Sequence, residues 1–202
     1  MKMNQWQDGK IRCPWANPQN SRYVQYHDQK WGRPVKDDHE LFKTLILETF
    51  QAGLSWEIVL NKEEGFAHAF ADFDVKKIAQ FTQADQQRLQ NDPSIIRHRL
   101  KINAAVNNAQ VFMQIQKEWG SFAKYLWHWT VGKTIYETGQ THSPLSDVVS
   151  KDLKKRGMKF VGTKTVYAYL QAVGVVNSHE PGCFLYHATE PSSNVAHSVL
   201  ML

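Results

Sequence analysis

The spacing of apolar residues constrains the fold of this chain most, because it follows the helical period through most of the sequence. In residues 37–61, one helix face is formed by Leu41, Phe42, Leu45, Ile46 and Phe50. Asp37 or Asp38 is expected to cap this helix, and Gly53 to interrupt or kink it. Similar spacing predicts helices within residues 66–73, 82–90, 95–119, 143–156 and 163–174. Since runs of alternating β-branched residues are scarce, the sequence predicts an all-α fold with at least six helices.

The length of 202 residues is enough for one well-packed domain and does not require a second. Residues 13–187 contain no repeat, low-complexity tract or linker, whereas the tail loses periodicity and gains Ser and Pro. We therefore predict one domain over residues 12–188, with loosely ordered termini at 1–11 and 189–202. No apolar run approaches the roughly 20 residues that cross a bilayer, so we expect a soluble, cytoplasmic protein that has no membrane partner. We also expect a monomer.

The two cysteines, Cys13 and Cys183, are too few for a disulfide framework and are more typical of thiols or metal ligands. His179 lies close to Cys183 in "NSHEPGC", and Cys13 is followed by His27 in "YHDQKWG". Together these four residues would complete a tetrahedral zinc site. The spacing differs from that of a zinc finger, and the chain has nine histidines, so spacing alone leaves a chance arrangement open. A zinc ion with four protein ligands would be structural and would join the two ends of the chain.

Basic residues are unevenly distributed in this chain of net charge +5. They cluster in residues 97–101 and 151–159, a pattern that suits either a polyanionic ligand or a solvated basic face. Within the second cluster, Gly157 and Gly162 bracket a short turn between two predicted helices. Glycine permits the positive φ and close approach of a tight hairpin, although most such glycines only form turns.

Five stretches of the sequence, in their order and separation, resemble the 3-methyladenine DNA glycosylase I family of bacterial base-excision repair enzymes. They are "YHDQKWG", "QAGLSW", "IIRHRLKI", "LKKRGMKFVG" and "VNSHEPGC", and the resemblance runs from about Arg12 to Cys183. It implies an all-α helix-hairpin-helix DNA glycosylase fold with a zinc site joining the N- and C-terminal segments. The implied ligands of one structural Zn²⁺ are Cys13, His27, His179 and Cys183.

The activity implied by the resemblance is the removal of a damaged base from double-stranded alkylated DNA. The enzyme would flip out N3-methyladenine and hydrolyse its glycosidic bond, releasing 3-methyladenine and leaving an abasic site without lyase cleavage. Two other functions are compatible with the motifs: a non-catalytic, zinc-stapled module that binds damaged DNA, and a zinc hydrolase in which one ligand is displaced from the metal.

The base pocket implied by the resemblance contains one carboxylate and several aromatic rings. Glu48 would accept hydrogen bonds from the base, Tyr26 and Trp56 would lie against it, and Trp15, Tyr23 and Trp31 would line the same pocket. A cationic base over such rings gains roughly 2 kcal/mol. On the residues alone, each ring could be an ordinary core residue. Likewise, the helical wheel would place Glu48 in a solvated stripe with Thr44 and Gln51.

The resemblance also assigns the contacts with DNA. The helix-hairpin-helix element would hold the phosphate backbone without reading sequence, through Lys154, Lys155, Arg156, Gly157, Lys159, Gly162 and Lys164. Gly53 and Leu54 would fill the gap left by the flipped base. Most helix-hairpin-helix glycosylases carry an aspartate shortly after the second helix of the hairpin, where this chain has Asn177 and Ser178. The resemblance implies that this family works without that aspartate.

Overall fold

The fold is known from a computed structural model that describes residues 6–187. The α-helices in this range are Ser21–Gln29 (α1), Asp38–Gln51 (α2), Trp56–Asn61 (α3), Glu63–Ala69 (α4), Val75–Ile78 (α5), Gln83–Asn91 (α6), Arg99–Trp119 (α7), Phe122–His128 (α8), Pro144–Lys155 (α9) and Thr163–Ala172 (α10). A 3-10 turn spans Ala71–Phe73, and the short strands Ile135–Tyr136 (β1) and Val176–Asn177 (β2) pair in parallel. The predicted all-α fold class is therefore confirmed.

Most helix starts follow from capping side chains. The carboxylate of Asp37 accepts a hydrogen bond from the Glu40 N–H at the start of α2, as the sequence predicts. Thr82 and Asp85 form a capping box on α6. Helix α7 begins at Arg99, later than the predicted position 95, because the preceding His98 caps it by accepting from the Lys101 N–H. Helices α1, α5 and α8 are short and were not predicted.

The core lies between α2, α7 and the pair formed by α9 and α10. The predicted apolar face of α2 is at most 1% exposed at each position: Leu41, Phe42, Leu45, Ile46 and Phe50. Phe112 of α7 stacks on Phe122 with ring centroids 4.0 Å apart. Helix α10 packs against both α9 and α2. This packing fixes the direction in which the last turn of α2 presents its side chains.

The end of α2 is held by a buried lysine that the sequence analysis missed. Lys101 of α7 donates hydrogen bonds to the carbonyl oxygens of Phe50 at 2.7 Å and of Ala52 at 2.6 Å. An ammonium group here satisfies free carbonyls at a helix C-terminus. Gly53 then takes a φ of +85°, which ends α2 before α3 begins and confirms the predicted interruption. The lysine therefore fixes the turn that follows α2.

Residues 6–11 form a hydrogen-bonded turn in which the Trp6 N–H donates to the Lys10 carbonyl oxygen at 3.1 Å. The Phe184 N–H donates to the carbonyl oxygen of Ile11 at 2.8 Å, which brings the two ends of the described chain together. Residues 1–5 and 188–202, which include the rest of the predicted loose termini, lie outside the described residues. Within residues 6–187, no helix has the length and apolarity needed to cross a membrane.

Candidate active site and metal cluster

The structure brings the predicted pocket residues together around one cavity of about 310 Å³. Glu48 and all five predicted aromatic residues line it: Trp15, Tyr23, Tyr26, Trp31 and Trp56. Helices α1, α2 and α3 supply most of these side chains, because α2 ends beside the cavity and α3 begins with Trp56. Residues separated by more than 40 positions in the sequence thus form one binding surface.

Glu48 is buried against these rings and does not belong to a solvated stripe. The residue is 3% exposed, and no donor among residues 6–187 forms a hydrogen bond with its buried Oε2. Burial raises the pKa of the Glu48 carboxyl to about 8. A buried acceptor without a partner is energetically costly, and such groups persist where a ligand supplies the missing donor. The cavity therefore favours a ligand that brings N–H donors and positive charge to Glu48.

The aromatic rings form two contacting groups. The centroids of Tyr26 and Trp56 are 5.1 Å apart, and Trp15 lies 5.4 Å from Tyr23 and 4.9 Å from Trp31. Within the described range, the buried indole Nε1 of Trp56 also has no hydrogen-bond partner. Flat apolar faces beside unpaired polar atoms suit a planar, polar heteroaromatic ring.

The four predicted metal ligands also meet, in a buried cluster at the junction of the chain ends. The donor atoms of Cys13, His27, His179 and Cys183 all lie within 4.8 Å of one another. The Cys183 Sγ is 3.5 Å from His27 Nε2 and 3.7 Å from His179 Nδ1, and Cys13 Sγ is 3.6 Å from His179 Nδ1. Tetrahedral bonds of the usual Zn–S and Zn–N lengths place sulfur and nitrogen about 3.6 Å apart. These three sulfur–nitrogen distances therefore match a tetrahedral zinc site.

A second layer of residues orients this cluster. His27 Nδ1 lies 2.8 Å from Asp28 Oδ1, and Asp28 in turn accepts hydrogen bonds from Arg12 Nε at 2.8 Å and Nη2 at 2.7 Å. A carboxylate on Nδ1 selects the tautomer whose Nε2 lone pair faces the other ligands. Backbone N–H groups donate to the sulfurs of Cys13 and Cys183 at 3.4 and 3.5 Å, which favours thiolates. Asp28 directly follows His27 in the sequence, and this adjacency could have indicated that Asp28 orients the histidine. The sequence analysis did not identify it.

Comparison with known proteins identifies the family. The sequence matches the family model for methyladenine glycosylase over residues 15–186. The chain belongs to the methyladenine glycosylase family. DNA-3-methyladenine glycosylase 1 of Escherichia coli is 41% identical over 187 residues, covering 89% of this chain and 99% of that protein. DNA-3-methyladenine glycosylase of Haemophilus influenzae is 40% identical over 178 residues, covering 85% and 96%.

A solved structure agrees with the sequence relatives. A variant of 3-methyladenine DNA glycosylase I in complex with 3-methyladenine superposes with a TM-score of 0.84 at 37% identity. The match covers 89% of this chain and 99% of that one. The similarity therefore extends over most of the chain.

The predicted hairpin joins α9 to α10 in this methyladenine glycosylase. Gly157 has a φ of +99°, as expected for a tight turn. Gly162 differs from the expectation, because its φ is −64° and it serves as the N-cap of α10. In the described part of the chain, no heavy atom lies within 4 Å of the position that a Cβ of Gly162 would take. The glycine therefore leaves the N–H groups at the start of α10 uncovered, which suits an anion.

The basic residues of the hairpin fall into two groups. Lys154, Lys155, Lys159 and Lys164 are exposed. Arg156 instead donates to Asp152 at 2.6 Å and to Glu118 at 2.6 and 3.1 Å, and its guanidinium lies 5.2 Å from the Tyr125 ring centroid. This network ties the end of α9 to α7. A phosphate would have to compete with two carboxylates for Arg156, so the lysines are better placed to contact DNA.

Two further predicted residues lie at the turn between α2 and α3. Leu54 is 39% exposed, and in the described structure no heavy atom lies within 4 Å of the position that a Cβ of Gly53 would take. The turn lies between the last turn of α2, which carries Glu48, and Trp56 at the start of α3. An apolar side chain is thus presented to solvent beside the cavity.

The segment after the hairpin reaches the same cavity. Ser178 lines it and is 7% exposed, while Asn177 donates through Nδ2 to the Gly32 carbonyl oxygen at 3.3 Å. This segment therefore contributes Ser178 and Glu180 to the cavity lining.

Proposed function

We propose that this methyladenine glycosylase hydrolyses the N-glycosidic bond of 3-methyladenine in alkylated duplex DNA. The observation that carries the proposal is the buried, unpartnered Oε2 of Glu48 in a cavity lined by five aromatic residues. A single chain supplies every residue of the cavity, so we propose that the protein acts as a monomer. The 3-methyladenine complex of a related enzyme supports the choice of base.

Selection of the damaged base follows from charge. Methylation at N3 makes the nucleotide's adenine cationic, and a cation over desolvated aromatic faces gains roughly 2 kcal/mol. The same cation favours ionisation of Glu48, whose carboxylate can then accept hydrogen bonds from the base. An unmodified adenine is uncharged and leaves the cost of ionising buried Glu48 uncompensated. The pocket therefore discriminates against undamaged DNA.

Departure of the base requires little help from an acid. When the glycosidic bond breaks, its electron pair moves to the cationic base, which leaves as neutral 3-methyladenine. Glu48 contributes recognition and electrostatic stabilisation, and the cavity holds the flipped nucleotide in position. A water molecule must then add to the sugar carbon and lose a proton.

We further propose that Cys13, His27, His179 and Cys183 hold one structural Zn²⁺. When bound, the ion supplies a cross-link between the N-terminal and C-terminal segments. Four protein ligands occupy a tetrahedral ion completely, so no position is left for an activated water. This argument favours a glycosylase with a structural metal over a zinc hydrolase.

Incubation of the purified protein with methylated DNA tests the proposed activity. We expect free 3-methyladenine to appear, detected by chromatography and mass spectrometry, together with abasic sites and no direct strand cleavage. A protein that bound the methylated DNA but released no base would instead be the damage-binding module. Untreated DNA of the same sequence is the control for background depurination.

The hairpin lysines are expected to provide salt-dependent binding to DNA. Replacing Lys154, Lys155, Lys159 and Lys164 by Ala should weaken binding to duplexes of any sequence, because each lost phosphate contact removes about 0.9 from the slope of log K against log salt concentration. Fluorescence anisotropy over a salt series measures that slope. The matched control replaces Lys76, Lys77, Lys117 and Lys124 by Ala, which removes four exposed lysines outside the hairpin. An unchanged slope in the hairpin variant would contradict this contact.

A further inference from the structure

A second carboxylate, Glu137, lies close to the cavity wall. The Glu137 N–H donates to the Asn177 carbonyl oxygen at 3.2 Å, directly after the paired strands β1 and β2. Glu137 follows the last residue of β1, and Ser178 follows the last residue of β2. The parallel pairing therefore places Glu137 next to the segment whose Ser178 lines the cavity.

The hydroxyl of Tyr167 connects these two residues. Tyr167 is 2% exposed, and its hydroxyl oxygen lies 3.5 Å from Ser178 Oγ. Burial raises the pKa of the Glu137 carboxyl, while the nearby hydroxyls of Tyr167 and Ser143 act on that pKa in the opposite direction. The Tyr167 hydroxyl therefore lies near both Ser178, at the cavity, and the carboxyl group of Glu137.

Glu137 has unused capacity to accept a proton. Its Oε1 is buried and has no hydrogen-bond partner in the described part of the chain, and no Lys, Arg or His of residues 6–187 pairs with it. A carboxylate that only anchored its loop would be expected to have both oxygens bonded. An unpaired buried carboxylate has a higher proton affinity than an exposed one.

We propose that Ser178, Tyr167 and Glu137 position the water that attacks the sugar and carry away its proton. This inference rests on the proposed glycosylase function. In the step, the bond between the sugar C1′ and the base nitrogen breaks, and its electron pair leaves with neutral 3-methyladenine. The water oxygen bonds to C1′ and gives a proton to Ser178 Oγ. The Ser178 hydrogen passes to the Tyr167 oxygen, and the Tyr167 hydrogen passes to Glu137.

Glu48 and Glu137 have different roles because they lie at different positions. Glu48 lies among the rings that receive the base. Its carboxylate therefore interacts with the cationic base before the glycosidic bond breaks. Glu137 lies behind the cavity wall and reaches the ligand only through hydroxyls. It is a positioning residue and the final proton acceptor, whereas Ser178 is the group that contacts the water.

Single-turnover excision of 3-methyladenine from methylated DNA tests the inference. We expect Glu137→Gln to lower the excision rate by about 100-fold, a usual size for loss of a general base, with unchanged affinity for damaged DNA. Tyr167→Phe, which removes only one hydroxyl, should lower the rate as well. The double variant should be no slower than Glu137→Gln alone, because both belong to one path. Glu137→Asp, which keeps the carboxylate, should recover part of the rate.

The control is Glu64→Gln, which removes an exposed carboxylate outside the cavity. If its rate fell as far as that of Glu137→Gln, a general loss of negative charge would explain the effect and the inference would fail. It would also be overturned if Glu137→Gln excised the base at the wild-type rate. Should that variant unfold, Tyr167→Phe decides, and a wild-type rate there overturns the inference. A wild-type protein that released no 3-methyladenine would instead refute the proposed function.

Discussion

Replacing Glu48 by Gln is expected to lower the rate of 3-methyladenine excision by about 100- to 1000-fold, the loss typical of a group that stabilises charge in an active site. The amide keeps the size of the side chain but cannot carry the negative charge that matches the cationic base. Single-turnover release of the free base from methylated DNA measures the effect. Glu40→Gln is the matched control, because Glu40 lies on the same helix and its side chain is 50% exposed.

The same substitution is expected to stabilise the fold, and the gain should depend on pH. In the folded protein, burial raises the pKa of the Glu48 carboxyl from its ordinary value of 4.5 to about 8. Between these values the unfolded chain binds fewer protons than the folded protein. The free energy of unfolding therefore falls as the pH rises, by about 1.4 kcal/mol for each pH unit from this group. Glutamine removes that loss.

Thermal unfolding across this pH range checks the second effect. The midpoint of Glu48→Gln should exceed that of the wild type most near pH 8, and the difference should shrink towards pH 4.5. A variant that retained wild-type excision would show that the cavity does not bind the base through Glu48. A stability difference independent of pH would show that Glu48 is already ionised in the folded protein.

The helices of this fold were predictable where local signals agree. The caps at Asp37 and Thr82 and the apolar face of α2 act within one or two turns, so a sequence pattern contains them. The orientation of Glu48 was not contained in that pattern. Glu48 lies at the edge of the apolar arc, and only the packing of α3 against α2 and of α1 against α3 turns that edge into a cavity wall.

The remaining site residues depend on contacts between distant segments. Lys101 stabilises the end of α2 from another helix, and Arg156 is bound by Glu118 of α7. Sequence patterns show that both residues are basic, but not which carbonyl or carboxylate binds them. Glu137 is similar, since only the pairing of β1 with β2 brings it towards Ser178. The resemblance to a known family identified the pocket residues. The contacts that hold Lys101, Arg156 and Glu137 in place became visible only in the tertiary structure.

Loss of a metal ligand is expected to reduce stability more than any surface substitution. The proposed zinc cross-links segments that are far apart in sequence, and it binds only the folded chain. Such a ligand stabilises the folded state by about 4 kcal/mol when its free concentration is 1000 times the dissociation constant. Cys13→Ser should therefore lower the midpoint of thermal unfolding and abolish binding of one zinc ion per chain, measured by mass spectrometry under native conditions.

The matched control is His142→Ala, because His142 is 54% exposed and lies outside the metal cluster. It should bind zinc and unfold as the wild type does. Chelation of the wild type should reproduce the instability of Cys13→Ser, and added zinc should reverse the effect only in the wild type. A chelated protein that kept its full thermal stability but lost excision activity would show a catalytic metal. That result would contradict four permanent protein ligands, since a catalytic zinc requires an open position for water.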